Sequence, residues 1–462
     1  MDTILTTIAD ALKLFFSFKA YVILPAFMLI LALVARMRPA DAILSTVRIG
    51  AGFAGVFIVF SFFVTQISPA IREIIRIRGI DFPVVDVGWP PLAAITWSTT
   101  LAPLVIVFVM LINMIMLFTR TTKTLYIDLW NYWHFALVGA LLQSIGAHWL
   151  LALSASLLIA IYTIKTAEWS APYVKRETGL EGVAVSPISV SGFLPYAVTL
   201  NRLIDAVPVL RSLSWNPSKS RSESNGKTRT VDILQEPMII GIIVGILLSM
   251  AAGYDLKTTL ETAVNIAAVM FLLPRCGALI AEGMGAVAQA FKKLIEGRFT
   301  SLTGLSIAMD SGVIMTNYSV IATGLVMIPI SLIIAFIIPG NRTIPLGDLP
   351  NLLSVMSVIT LIMGGNVIRS IIAGIPIVAS FMIIASKLAP LFTSQAKAAG
   401  MELGLAGQEI TAFTDGGNQL RFWFFYLFQG NIIAIAVIPV VLAMLFFSWK
   451  THRRISAEQG TA

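Results

Sequence analysis

Acidic side chains at interruptions of long apolar runs are the first residues here that could do chemistry. Asp86, Glu181, Asp310, Asp348 and Asp415 all stand at such breaks. An ionisable group at membrane depth is costly and is by default a functional candidate. A carboxylate placed there can bind a solute's hydroxyl or accept its proton. The plainer alternative is helix capping at the membrane interface. It suits Asp128 and Asp348, whereas Glu181 and Asp310 lie in glycine-containing irregular sequence and point to function. His134 follows Asp128-Leu-Trp-Asn131 and has Trp130, Trp133 and Asn131 for neighbours. An aromatic face beside polar groups fits a carbohydrate, which presents C–H patches and hydroxyls together. Trp89 and Trp97 serve equally well as platforms or as interfacial anchors.

The elements that would position these residues are membrane helices. Of 462 residues, 57% are hydrophobic and 12% charged, too apolar for a soluble enzyme of this length. Leu101 to Phe118 and Ile432 to Phe447 are nearly free of strongly polar side chains, and a span needs about 20 apolar residues. The net charge of +8 reads as topology-setting residues in short loops rather than a nucleic-acid surface. One cysteine and three scattered histidines exclude a disulfide framework and argue against a metal cluster. No phosphate loop occurs: Gly226-Lys227-Thr228 lacks the upstream glycine, position 221 being Arg.

The segment from Gly179 to Asn201 is apolar, yet it carries Glu181, hydroxyls, three glycines and two prolines. Broken helix at membrane depth is tolerated only inside protein or beside a watery cavity. Gly179-Leu-Glu-Gly182 recurs as Gly404-Leu-Ala-Gly407. Asp86 in VDVG matches Asp310 in MDSG, and Asp128-Leu-Trp-Asn131 matches Asp348-Leu-Pro-Asn351, all at offsets near 220–225 residues. Paired, interrupted segments in two halves point to a transporter's binding site.

The expected architecture is an all-α polytopic membrane protein of about eleven spans. It divides into a first repeat (1–214), a hydrophilic linker (215–232), a second repeat (233–421), and a final span with a basic tail (422–462). Residues 1–18 are expected as a short amphipathic helix leading into the first span and Ile71 to Arg78 as a helix lying at the interface, and 132–164 should split near Gly146 to His148. With five spans each the repeats must be inverted, and positive-inside bias puts the N-terminus outside and the C-terminus inside.

VVDVGWP (84–90), DLWNYWH (128–134), GLEGVAV (179–185), AGYD (252–255), LLPR (272–275), PGN with PLGDLP (339–350) and GNVIRSIIAG (365–374) together resemble the IIC membrane subunit of galactitol-type phosphotransferase-system permeases, in the superfamily that includes the ascorbate permease. The resemblance implies a homodimer in the bacterial inner membrane, with a V-motif-like scaffold domain and a core domain that moves like an elevator. It implies a polyol or sugar substrate, no cofactor, and a separate IIB subunit that donates phosphate from a phosphocysteine and is itself fed by IIA. The sequence departs from the family at Ser186-Pro187-Ile188-Ser189, at Asn317, at Met363-Gly364-Gly365-Asn366 and at Asp415. The candidate catalytic residues are Glu181 and Asp310, either of which could accept the proton of the phosphorylated hydroxyl. The candidate substrate contacts are Asp86, Trp89, Asn131, His134, Gln143, Asn317, Asn366 and Asp415. The alternatives are an ion-coupled carbohydrate transporter without phosphorylation, and a membrane sensor or structural subunit.

Overall fold

The computed structural model describes residues 20–78, 82–97, 99–219, 237–298, 304–345, 347–349, 351–398 and 409–458. The expected helix at 1–18, most of the hydrophilic linker and the Gly404–Gly407 repeat lie outside the described residues. The first half runs α1 (Ala20–Val34), α2 (Pro39–Arg78), β1 (Val84–Asp86), α3 (Trp89–Trp97), α4 (Leu101–Phe118), β2 (Thr124–Leu125), a 3-10 turn (Leu129–Tyr132), α5 (Trp133–Ser144), α6 (Trp149–Thr178), β3 (Val183–Val185), α7 (Ile188–Ser191), α8 (Leu194–Ala206) and α9 (Pro208–Ser212). The second runs α10 (Pro237–Ala251), α11 (Leu256–Arg298), β4 (Ser306–Met309), a 3-10 turn (Ser311–Ile314), α12 (Tyr318–Ile337), β5 (Thr343–Ile344), α13 (Asn351–Ile362), α14 (Val367–Ala398), β6 (Glu409–Thr411), α15 (Gln419–Leu427), α16 (Ile432–Ala436) and α17 (Ile438–Glu458).

Among the described residues, four helical stretches are long and apolar enough to cross a membrane: Trp149–Thr178, Tyr318–Ile337, Val367–Ala398 and Ile432–Glu458. The pair Ile188–Ala206 and Pro208–Lys219, bent by 104°, makes a fifth if counted as one span. The break between α5 and α6 falls where expected. Gly146 has φ +87°, and His148 caps α6 by accepting from the Leu150 N–H at 3.3 Å. Ile71 to Arg78 is not a separate interfacial helix but the end of the continuous 40-residue α2. The last long apolar helix starts at Ile432, later than expected, because Gln429-Gly430-Asn431 interrupts the chain and Asn431 caps a new helix.

The chain is not all-α. Among the described residues, two three-stranded parallel sheets occupy the helix breaks, in strand orders β5-β1-β6 and β2-β4-β3. Each takes its central strand from one half and its two outer strands from the other. Val85 stands opposite Ile344 and Ile410, and Ile307 opposite Leu125 and Val183. The cause is backbone satisfaction: extended chain at membrane depth has no water for its polar groups, so short strands pair with one another. Side-chain hydroxyls finish the work. Ser170 of α6 accepts from the Val185 N–H at 2.9 Å, and Thr393 of α14 accepts from the Ile410 N–H at 2.8 Å. These two contacts occupy matching places in the two halves.

The buried core surrounds the sheets, while α1, α2, α10 and α11 pack mainly on one another. α11 reaches the core at β4 and the second 3-10 turn.

Candidate substrate site

Each sheet presents an acid at the end of its central strand, and each acid meets an Asp-x-x-Asn motif from the other half. Around the first sheet, Asp86 Oδ1 accepts from the Gly88 and Phe413 N–H groups at 3.1 and 2.9 Å, and Oδ2 from the Asp348 N–H at 3.0 Å. Asp348 Oδ1 accepts from the Trp89 N–H at 2.7 Å, and Oδ2 from the Thr414 hydroxyl at 2.8 Å. Asn351 donates through Nδ2 to Thr414 Oγ1 at 2.8 Å and to Asp415 Oδ2 at 3.2 Å. This close approach needs glycine. A Cβ on Gly347 would stand 2.4 Å from the Gly88 nitrogen and 2.7 Å from the Asp86 carbonyl oxygen. Asp415 Oδ1 is paired at 2.5 Å with Nη2 of Arg421, a guanidinium only 2% exposed. Nη1 of Arg421 lies 3.0 Å from His134 Nδ1, and its Cζ lies 5.6 Å from the Trp133 ring centroid. Trp133 in turn stacks on Trp89 at 6.4 Å between centroids.

Around the second sheet, Asp310 Oδ1 accepts from the Gly312 N–H at 3.0 Å, as Asp86 does from Gly88. Asn131 Nδ2 bridges Asp310 Oδ2 at 2.9 Å and Asp128 Oδ2 at 2.6 Å. The Ser186 hydroxyl donates to Asp128 Oδ2, and the Ser311 hydroxyl meets that of Ser354. The two clusters interlock, because Asn131 serves the second while His134, one turn on, serves the first; Asn351 and Ser354 repeat that arrangement. Asp128 and Asp348 are therefore not interfacial caps. Both are buried, Asp128 makes no capping bond, and Asp348 binds groups brought from distant chain.

The structure thus gathers Asp86, Trp89, His134 and Asp415 in one cluster, and Asn131 and Asp310 in the other. The remaining candidates stand elsewhere. Glu181 is exposed in the loop after α6, paired with Lys175 Nζ at 2.9 Å. Gln143 is half-buried at the end of α5. Asn317 caps α12, accepts from the Ser218 hydroxyl at 2.9 Å and donates to the Glu177 carbonyl at 3.2 Å. Asn366 donates to the Leu213 carbonyl at 2.9 Å, so both asparagines fasten the chain where the hydrophilic linker begins. Arg421 joins the first cluster without standing out in the sequence. Its one signal was a lone charge in the aromatic run QLRFWFFYLF (419–428).

Several buried polar atoms here have no hydrogen-bond partner among the described residues: Asp128 Oδ1, Trp133 Nε1, Arg421 Nε and Asn418 Nδ2. Leaving such groups unpaired is costly, so donors and acceptors waiting together favour a ligand rich in hydroxyls or ordered water. No group of three or more metal-ligating side chains occurs among the described residues.

Apolar helices wrapped around strand-filled breaks with buried acids and amides define a polytopic membrane protein built to handle a polar solute. The profile of the family described as "PTS system sugar-specific permease component" matches residues 14–407, and the chain belongs to that family. It is 29% identical over 430 residues to the "Putative permease IIC component" of Escherichia coli (strain K12), covering 93% of this chain and 96% of that protein. It is 28% identical over 435 residues to the "PTS system galactitol-specific EIIC component" of the same strain, covering 94% of each. The protein of that description from Escherichia coli O157:H7 matches equally.

Proposed function

We propose that the chain binds a galactitol-like polyol or sugar between its two clusters and carries it across the bacterial inner membrane for phosphorylation by a separate IIB subunit. The observation that carries this reading is the pair of interlocked acid–amide clusters with unpaired buried donors and acceptors, in a chain of the sugar-permease family. The recurring order of elements, with strands exchanged between halves, supports two inverted repeats around a midplane site. The separate packing of α1, α2, α10 and α11 supports a scaffold against which the core rides as an elevator in a homodimer. Eleven spans, an outer N-terminus and an inner C-terminus belong to the same proposal.

In the chemical step a cargo hydroxyl oxygen attacks the phosphorus of the IIB phosphocysteine. The S–P bond breaks, the thiolate leaves with the electron pair, and the hydroxyl proton passes to a carboxylate. Asp310 is the better placed of the two candidate acids, being half-buried beside Asn131, whereas Glu181 lies outside both clusters. Asp310→Asn is expected to abolish phosphorylation-coupled uptake in membrane vesicles; full activity would remove Asp310 from the mechanism. One feature favours the ion-coupled alternative: Asp128 and Asp310 share an amide and face no cation among the described residues. Cargo appearing inside unphosphorylated, driven by an ion gradient, would establish it.

A further inference from the structure

Arg421 settles the hydrogen-bonding sense of His134. A guanidinium is all donor and stays charged. With Nη1 3.0 Å from Nδ1, the imidazole nitrogen must be the acceptor, so the ring is neutral and its single proton sits on Nε2. Nε2 makes no hydrogen bond to any described residue. The ring cannot swing away easily: His134 is 3% exposed and its centroid lies 3.9 Å from that of Trp133, which itself packs on Trp89.

We propose that Arg421 is a positioning residue that holds His134 as a one-way Nε2–H donor, and that this donor grips a hydroxyl or carboxyl oxygen of the cargo. The second clause rests on the carbohydrate reading above and adds a polarity to it: at this point the cargo must present an acceptor. Asp415 shows why the arginine matters. Its Oδ1 lies 3.6 Å from His134 Nδ1 but is occupied by Arg421 Nη2 at 2.5 Å. Without the guanidinium, that carboxylate becomes the nearest partner of Nδ1 and draws the imidazole proton to itself. Nε2 then turns from donor to acceptor and loses the cargo oxygen. The family resemblance names neither the arginine nor this dependence.

The test is nitrogen-15 NMR of the full-length, histidine-labelled chain in lipid nanodiscs. With three histidines in the chain, His148→Gln and His452→Gln assign the His134 signals. The native chain is expected to show an unprotonated Nδ1 and a protonated Nε2. Arg421→Lys, which keeps an all-donor cation, should preserve that pattern. Arg421→Met should place a proton on Nδ1 and weaken galactitol binding about 10- to 100-fold, the loss of one donor to a buried oxygen. A protonated Nδ1 in the native chain overturns the proposal without any variant needing to fold. A native Nε2–H pattern with no binding of galactitol or any related polyol upholds Arg421's role and removes the carbohydrate reading instead.

Discussion

Replacing Asn131 with alanine tests the second cluster at its centre. The Nδ2 group donates to Asp128 Oδ2 at 2.6 Å and to Asp310 Oδ2 at 2.9 Å. Each bond to a carboxylate is worth about 1.5–3 kcal/mol, so Asn131→Ala should cost about 3–6 kcal/mol, with two acids left facing each other. Asn351 is its counterpart in the other half, and there the arithmetic differs. Asn351→Ala loses a neutral bond to Thr414 and a longer one to Asp415, which keeps its ion pair with Arg421. That loss is about 1–3 kcal/mol. Reversible unfolding of the purified chain in mixed micelles measures both. Asn131→Ala should be the more destabilised by about 2 kcal/mol or more, and it should also lose polyol binding. Equal costs, or a larger one for Asn351→Ala, would refute the reading that, among the described residues, only the first cluster carries its own counter-charge.

Other consequences follow from the same contacts. Gly347→Ala drives a Cβ into the backbone of Val87 and Gly88, so it should cost about 1–3 kcal/mol in overpacking and more if the Asp348 N–H is pulled from Asp86, as read by thermal unfolding. Glu181→Gln disturbs an exposed ion pair of the kind worth less than about 1 kcal/mol; uptake within twofold of native is expected, and abolished phosphorylation would restore Glu181 to the chemistry. Ser170→Ala and Thr393→Ala each strip the hydroxyl partner from a buried strand N–H, and each should cost about 1–3 kcal/mol in the same unfolding assay. Equal and small effects would show that the strands do not depend on these hydroxyls.

Two acids of the candidate site were legible because an acid beside glycine in an apolar chain is conspicuous: Asp86 and Asp310 each stand two residues before a glycine whose N–H they bind. The two-to-four-residue strands were not legible, since pieces that short show no periodicity and exist only through partners from the other half. The same distance dependence explains Asp128 and Asp348. Whether an acid caps its own helix or binds distant chain is decided by contacts such as that between Trp89 and Asp348, 259 residues apart. Asn317 and Asn366 have the right chemistry for a ligand, but their amides are spent holding Leu213 to Ser218 in place. Arg421 looked like one charge in an aromatic helix, and only the fold turns it toward Asp415 and His134.

On the proposed function, the buried clusters of this family member hold a carbohydrate for phosphorylation. The decisive measurement is uptake of labelled galactitol and related polyols into vesicles bearing the chain, with and without the phosphoryl carrier proteins inside. The expected result is accumulation only with the carriers, as the phosphate ester, and its loss in Asp310→Asn. Accumulation of the free polyol, equal with and without the carriers, would contradict it.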